Sequence, residues 1–172
     1  MSLPGRPMNK PQLADEMLEP QARPTTLDQS RLTHLVGYAA TRASVELKKA
    51  FSKHLGPLQL KAVEFSILVL VSSNEQVNQK QLGQALDVSP PNLAVTLDRM
   101  VERGWVERVR STEDRRSQIV VLTEAGQQMV QRAEKIAATM ENEPLQVLSP
   151  AERLLLLELL LKVSRGRRSP RA

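Results

Sequence analysis

Cysteine is absent from the 172 residues. Disulfides, thiolate metal sites, a cysteine nucleophile and cysteine-based redox sensing are therefore excluded together. Histidine occurs only as His34 and His54, with no second pair near either, so no metal site is expected. Aromatic residues are equally scarce: Tyr38, Phe51, Phe65 and Trp105 are the whole set. The core must then be built from Leu, Val, Ile, Ala and Met, a composition that suits packed helices. Long hydrophobic runs are missing too. The opening MSLPGRPMNK has no apolar stretch long enough for a signal peptide, and the leucine run 154–161 is interrupted by Glu158 and too short to cross a bilayer. A cytoplasmic protein without membrane association is expected. There is no glycine-rich phosphate loop, and no nucleophile with its base or carboxylate pair has a spacing that points to catalysis, so neither a cofactor nor an enzyme is expected.

What is present is a basic chain of formal net charge +5 with a crowded C-terminus, where Lys162, Arg165, Arg167, Arg168 and Arg171 lie close together. Residues 1–26 carry five of the eleven prolines and no sustained period, and read as a flexible arm; residues 165–172 read as a basic tail. Between them, residues 27–164 form one domain. Apolar residues recur at helical spacing from Leu27 to His54 and predict a long first helix, stopped by Gly56-Pro57. Leu60 to Ser72 is apolar on nearly all sides and predicts a helix buried in the middle of the fold.

Two short helices follow, Gln79 to Leu86 and Pro90 to Arg103, joined by Asp87-Val88-Ser89. Leu82, Leu86, Leu93, Leu97 and Met100 are expected to face the core. Gly104 closes the second. The period then changes: residues 105–110 and 118–122 favour strands, with the charged stretch 111–117 as a hairpin tip. Thr123 with Glu124 starts a helix that runs to about Asn142. Ser149-Pro150-Ala151-Glu152 combines a capping box with proline at the first helical position and starts a last helix to about Val163.

A tight pair of short helices (78–103) followed at once by a hairpin with a basic tip (105–122) is a winged helix-turn-helix arrangement, in which the second short helix enters the DNA major groove. That helix needs an apolar rear and a polar front at its N-terminal half. Ser89 is expected to cap it, while Pro91, Asn92, Val95, Thr96 and Arg99 are expected to face out. Asn92 suits adenine, Val95 or Thr96 a thymine methyl, and Arg99 guanine or a phosphate. An ordinary solvated face has the same composition. The hairpin tip favours the DNA reading, because Arg115 and Arg116 are suited to a narrow minor groove and Asp114 can orient an arginine. Residues 78–122 hold seven basic side chains against six acidic ones, a net of +1, so placement rather than total charge carries the argument. The alternative is a winged-helix adaptor that binds protein.

The sequence resembles the MarR family of bacterial transcriptional regulators over residues 28–164. The stretch from Asp114 through Leu122-Thr123-Glu124-Ala125-Gly126 is similar to the family's wing tip, apolar strand and L-T-x-x-G helix start. Residues 81–89 and 97–106 resemble its helix-turn-helix. The family wing often reads D-x-R-D-x-R, and here Ser111 and Glu113 stand in the first Asp and Arg places.

The resemblance implies a mainly α fold with a small β-hairpin wing and a repressor acting on double-stranded DNA. It makes Arg116 the minor-groove arginine, Asp114 its partner, and Asn92, Val95, Thr96 and Arg99 the reading surface. It also implies a homodimer joined through the first and last helices (27–54 and 123–164), which gives the leucine run 154–161 a role, and a pseudo-palindromic operator. Many members bind a small anionic aromatic effector. His34, Tyr38 and Arg42, at four-residue steps on the first helix, are the candidates here, with an ordinary interface row as the competing reading.

Overall fold

The computed structural model describes residues 27–112 and 118–165. Six helices and one hairpin follow in chain order: α1 (Val36–Leu55), a 3-10 turn (Gly56–Leu58), α2 (Ala62–Ser72), α3 (Gln79–Leu86), α4 (Pro90–Glu102), β1 (Val106–Arg110), β2 (Gln118–Leu122), α5 (Glu124–Met140) and α6 (Pro150–Arg165). The fold is mainly helical with a two-stranded antiparallel hairpin, whose register runs from Val106 opposite Leu122 to Arg110 opposite Gln118. The expected arm (1–26), the end of the basic tail and the wing tip lie outside the described residues. Among those described, no single helix is long and apolar enough to cross a membrane.

The core is aliphatic. Leu55, Ile67, Leu68, Leu82, Leu93, Leu97 and Met100 are fully or almost fully buried, each burial contributing about 1.5–3 kcal/mol before entropy is counted. α2 is central: α5 and β2 pack against it, and α3 meets its C-terminal end. α1 lies along α5, with Phe51 tilted against Phe65 at 6.1 Å between ring centroids.

The first helix begins nine residues later than its periodicity predicts. The Asp28 carboxylate accepts the Ser30 N–H and hydroxyl, and residues 29–35 form turns. Leu27, Leu32, Leu35 and Val36 remain exposed. Lack of cover does not set this start, because residues 36–43 are helical although nearly all exposed; the local side-chain and turn hydrogen bonds of residues 28–35 compete with the helix instead.

The helix ends follow local chemistry. At the start of α3, Asn78 and Gln81 exchange side-chain and backbone hydrogen bonds at 2.8 and 2.9 Å. α4 closes in a paired turn: the Gly104 N–H donates to Val101 and the Trp105 N–H to Met100, with Gly104 at φ +66°, where a side chain would be strained. Thr123 locks the hairpin to α5. Its N–H donates to the Trp105 carbonyl, its hydroxyl donates to the Gly104 carbonyl at 2.6 Å, and its Oγ1 accepts the Gly126 N–H. At α6, Ser149 donates both its N–H and its hydroxyl to Glu152. These bonds hold the Glu152 carboxyl below its ordinary value, the hydroxyl contributing most.

α6 has no buried residue. Arg153 anchors its first turn by donating to the Leu145 carbonyl, but the seven leucines between 154 and 161 are 38–70% exposed.

Candidate nucleic-acid interface

α3 and α4 meet through a short link that depends on two backbone features. Asp87 adopts a left-handed conformation at φ 53°, and its N–H and that of Val88 both close onto the Gly83 carbonyl. A Cβ on Gly83 would sit 3.2 Å from the Val88 carbonyl oxygen, so glycine lets the link fold tightly against α3.

α4 is two-faced. Leu93, Leu97 and Met100 are buried, as the apolar spacing predicts, whereas Pro91 and Asn92 are exposed and Val95 is 64% exposed. Pro91, Asn92 and Val95 thus share an outward surface at the N-terminal half of the helix, the part that can approach base edges.

Two expectations for this helix, at Ser89 and Thr96, are corrected, and a third, at Arg99, is refined. Ser89 occupies the capping position, but its side chain makes no capping hydrogen bond. Pro90 and Pro91 follow it, so two of the four amides that a helix start leaves unpaired do not exist, the second of them one that a cap would reach. Thr96 is 7% exposed, and its hydroxyl donates to the Asn92 carbonyl one turn back. It belongs to the packed side and not to the reading surface. Arg99 is turned toward α2, where its Nε donates to Glu64 Oε1 at 2.9 Å.

That last contact reveals a cluster that sequence reading missed. Glu64 is fully buried near the start of α2, and its Oε2 accepts the Lys61 N–H. Arg103, one turn beyond Arg99, lies 3.9 Å from Glu64, donates to the Gln59 carbonyl at 2.7 Å and stacks its guanidinium 3.8 Å over the Trp105 ring. The available signal was a lone carboxylate within an apolar helix, three residues after Lys61. A second missed pair joins α4 to the hairpin: Arg108 of β1 contacts Asp98 at 2.7 Å.

The hairpin root is clamped by Gln76, whose amide donates to Thr112 and accepts from the Ser111 hydroxyl at 2.8 and 3.0 Å. Gln76 itself sits at φ 51°. Ser111, in the place where the family wing often has aspartate, is therefore buried and tied to the segment leading into α3. The Val120 N–H donates to the Val77 carbonyl, and Asn78 bridges to Ile119, which extends the sheet toward α3. Asp114, Arg115 and Arg116 lie outside the described residues.

The expected effector row is only partly assembled. His34 precedes α1 and is exposed in the preceding turn, so it is off the helix that carries Tyr38 and Arg42. The Tyr38 hydroxyl donates to Gln29 Oε1, and Arg42 is exposed.

Comparison with known proteins gives a consistent picture. Residues 60–118 match the MarR family. The multiple antibiotic resistance protein MarR of Escherichia coli (strain K12) is 28% identical over 132 residues, spanning 77% of this chain and 87% of the relative. Among solved structures, the transcriptional repressor CouR bound to a 23-mer DNA duplex superposes with a TM-score of 0.76 at 34% identity, covering 82% of this chain and 100% of that one. CouR bound to p-coumaroyl-CoA gives 0.74 at 33%, covering 81% and 99%.

Proposed function

This chain belongs to the MarR family of transcriptional regulators, and from that premise we propose that it is a homodimeric repressor reading a pseudo-palindromic operator. The observation that carries the reading is the division of α4 into a buried rear and an exposed Pro91, Asn92 and Val95 surface. Asn92 would read adenine in the major groove and Val95 a thymine methyl. Arg115 and Arg116 would enter the flanking minor groove, with Asp114 orienting them.

The dimer would form through the exposed leucines of α6 together with Leu27, Leu32, Leu35 and Val36. A monomer rarely leaves so many large apolar side chains in water. The two recognition helices would then lie about one DNA turn apart, roughly 34–36 Å. A regulator of this kind works where the chromosome is, in the cytoplasm, and its relatives act by binding rather than by catalysis.

The effector would be an aromatic acid or its conjugate. The p-coumaroyl-CoA bound by CouR joins an aromatic ring to phosphates, chemistry that Tyr38 and Arg42 can meet by stacking and by charge. Equal DNA release by p-coumaroyl-CoA in the wild type and in Arg42→Ala would argue against that role.

The decisive experiment is a footprint of the purified protein on the DNA flanking its own gene, followed by genomic selection of bound fragments. A protected pseudo-palindrome whose protection weakens in Arg115→Ala/Arg116→Ala supports the reading. A chain that captures no duplex at near-physiological salt defeats it and leaves the adaptor.

A further inference from the structure

Resting on the DNA-reading role of α4, we propose that Glu64 is a positioning residue for operator discrimination: a buried carboxylate that fixes Arg99 and trades general phosphate attraction for directed contact. A fully buried carboxylate is costly unless it is paired and hydrogen-bonded. Here the Lys61 N–H occupies Oε2 and the Arg99 Nε–H occupies Oε1, with the Arg103 guanidinium 3.9 Å from Oε2.

Arg99 on α4 and Arg103 at its C-terminal cap are thereby fastened to the start of α2, and they set how α4 is seated. The two differ in what is left over. Arg103 is committed elsewhere, to the Gln59 carbonyl and the Trp105 ring. Arg99 remains 35% exposed, and neither of its Nη groups has a hydrogen-bond partner among the described residues. A guanidinium is a rigid planar fork. Once Nε–H is pinned inward, the Nη donors are fixed in direction and available to a DNA oxygen beside the reading surface.

The same pairing offsets the Arg99 charge. Removing the carboxylate charge therefore adds one net positive charge beside the DNA face and loosens the fork, and these effects act in opposite directions on specific and non-specific binding. A residue that merely supports the fold would weaken both alike.

The test compares Glu64→Gln with wild type on the operator duplex and on a random-sequence duplex, over a range of salt. The expected result is a fall of about tenfold in the operator-to-random affinity ratio, with random-duplex affinity unchanged or raised. Arg99→Lys covers the case in which Glu64→Gln does not fold. It keeps the net charge, but an ammonium cannot reproduce the pinned fork, so the ratio falls similarly. Equal losses on both duplexes, or an unchanged ratio, overturn the proposal while leaving the DNA-binding function intact. A wild-type chain that binds neither duplex overturns both.

Discussion

Replacing Gly126 by alanine sets two effects of opposite sign against each other. In an exposed helix the change gains up to about 1 kcal/mol from propensity alone. Gly126, however, is buried in the first turn of α5, where a Cβ would lie 1.9 Å from the Trp105 carbonyl oxygen and 2.9 Å from its carbon, against 3.4 Å for ordinary contact.

The obstacle is backbone, and it is held in place. The Trp105 carbonyl accepts the Thr123 N–H at 3.2 Å, and Thr123 also accepts the Gly126 N–H at 3.0 Å. Relief requires the hairpin and α5 to separate by more than an ångström. Overpacking of this kind costs roughly 1–3 kcal/mol, and a weakened capping bond adds about 0.5–1.5 kcal/mol. After the propensity gain is subtracted, Gly126→Ala is expected to destabilise the protein by about 0.5–3.5 kcal/mol. For a chain of this size that corresponds to a fall in Tm of roughly 1–14 °C. Thermal unfolding followed by circular dichroism, at one fixed protein concentration because dimerisation raises apparent stability, measures it directly. An equal or higher Tm would show that the α5 start is not packed on the Trp105 carbonyl, and the proposed fixing of the wing through Thr123 would fall with it.

Two further outcomes follow from α6. Leu157→Glu with Leu160→Glu removes two half-exposed leucines from each subunit, four per proposed dimer, at about half of the 1.5–3 kcal/mol for full burial each; sedimentation should show a dimer dissociating at about 10²-fold higher concentration or more, the factor those energies imply, and an unchanged dimer would place the interface elsewhere. The Glu152 carboxyl is lowered by the Ser149 hydroxyl and N–H, so its contribution is complete above its unfolded value and is lost as the pH falls through the lower folded value. Helix content in wild type should therefore drop on acidification below about pH 4.5 more than in Glu152→Gln, and superimposable acid titrations of the two would contradict the cap.

Much of this protein is decided within a few residues of chain. Asn78 with Gln81, Ser149 with Glu152, and Gly104 after α4 mark helix ends through hydrogen bonds between near neighbours, and the change from helical to alternating spacing locates β1 and β2. The buried rear of α4 was legible for the same reason, since Leu93, Leu97 and Met100 recur at helical spacing. Tertiary structure alone decided the edges. Adjacent helical residues differ by about 100°, so whether Thr96 faces DNA or the core, and which Arg99 nitrogen is tied to Glu64, depends on the angle at which α2 docks, and no local pattern carries that angle. Glu64 shows the point most directly: in the sequence it is one charge in an apolar helix, and only the approach of α4 supplies the arginine that makes its burial tolerable. The start of α1, by contrast, is a local matter, because the apolar stripe continues through residues 27–35 while the Asp28–Ser30 bonds and the turns after them keep that stretch out of the helix. Short-range hydrogen bonds and periodicity are properties of the chain; the partner of a buried charge and the cover for an apolar face are properties of the fold.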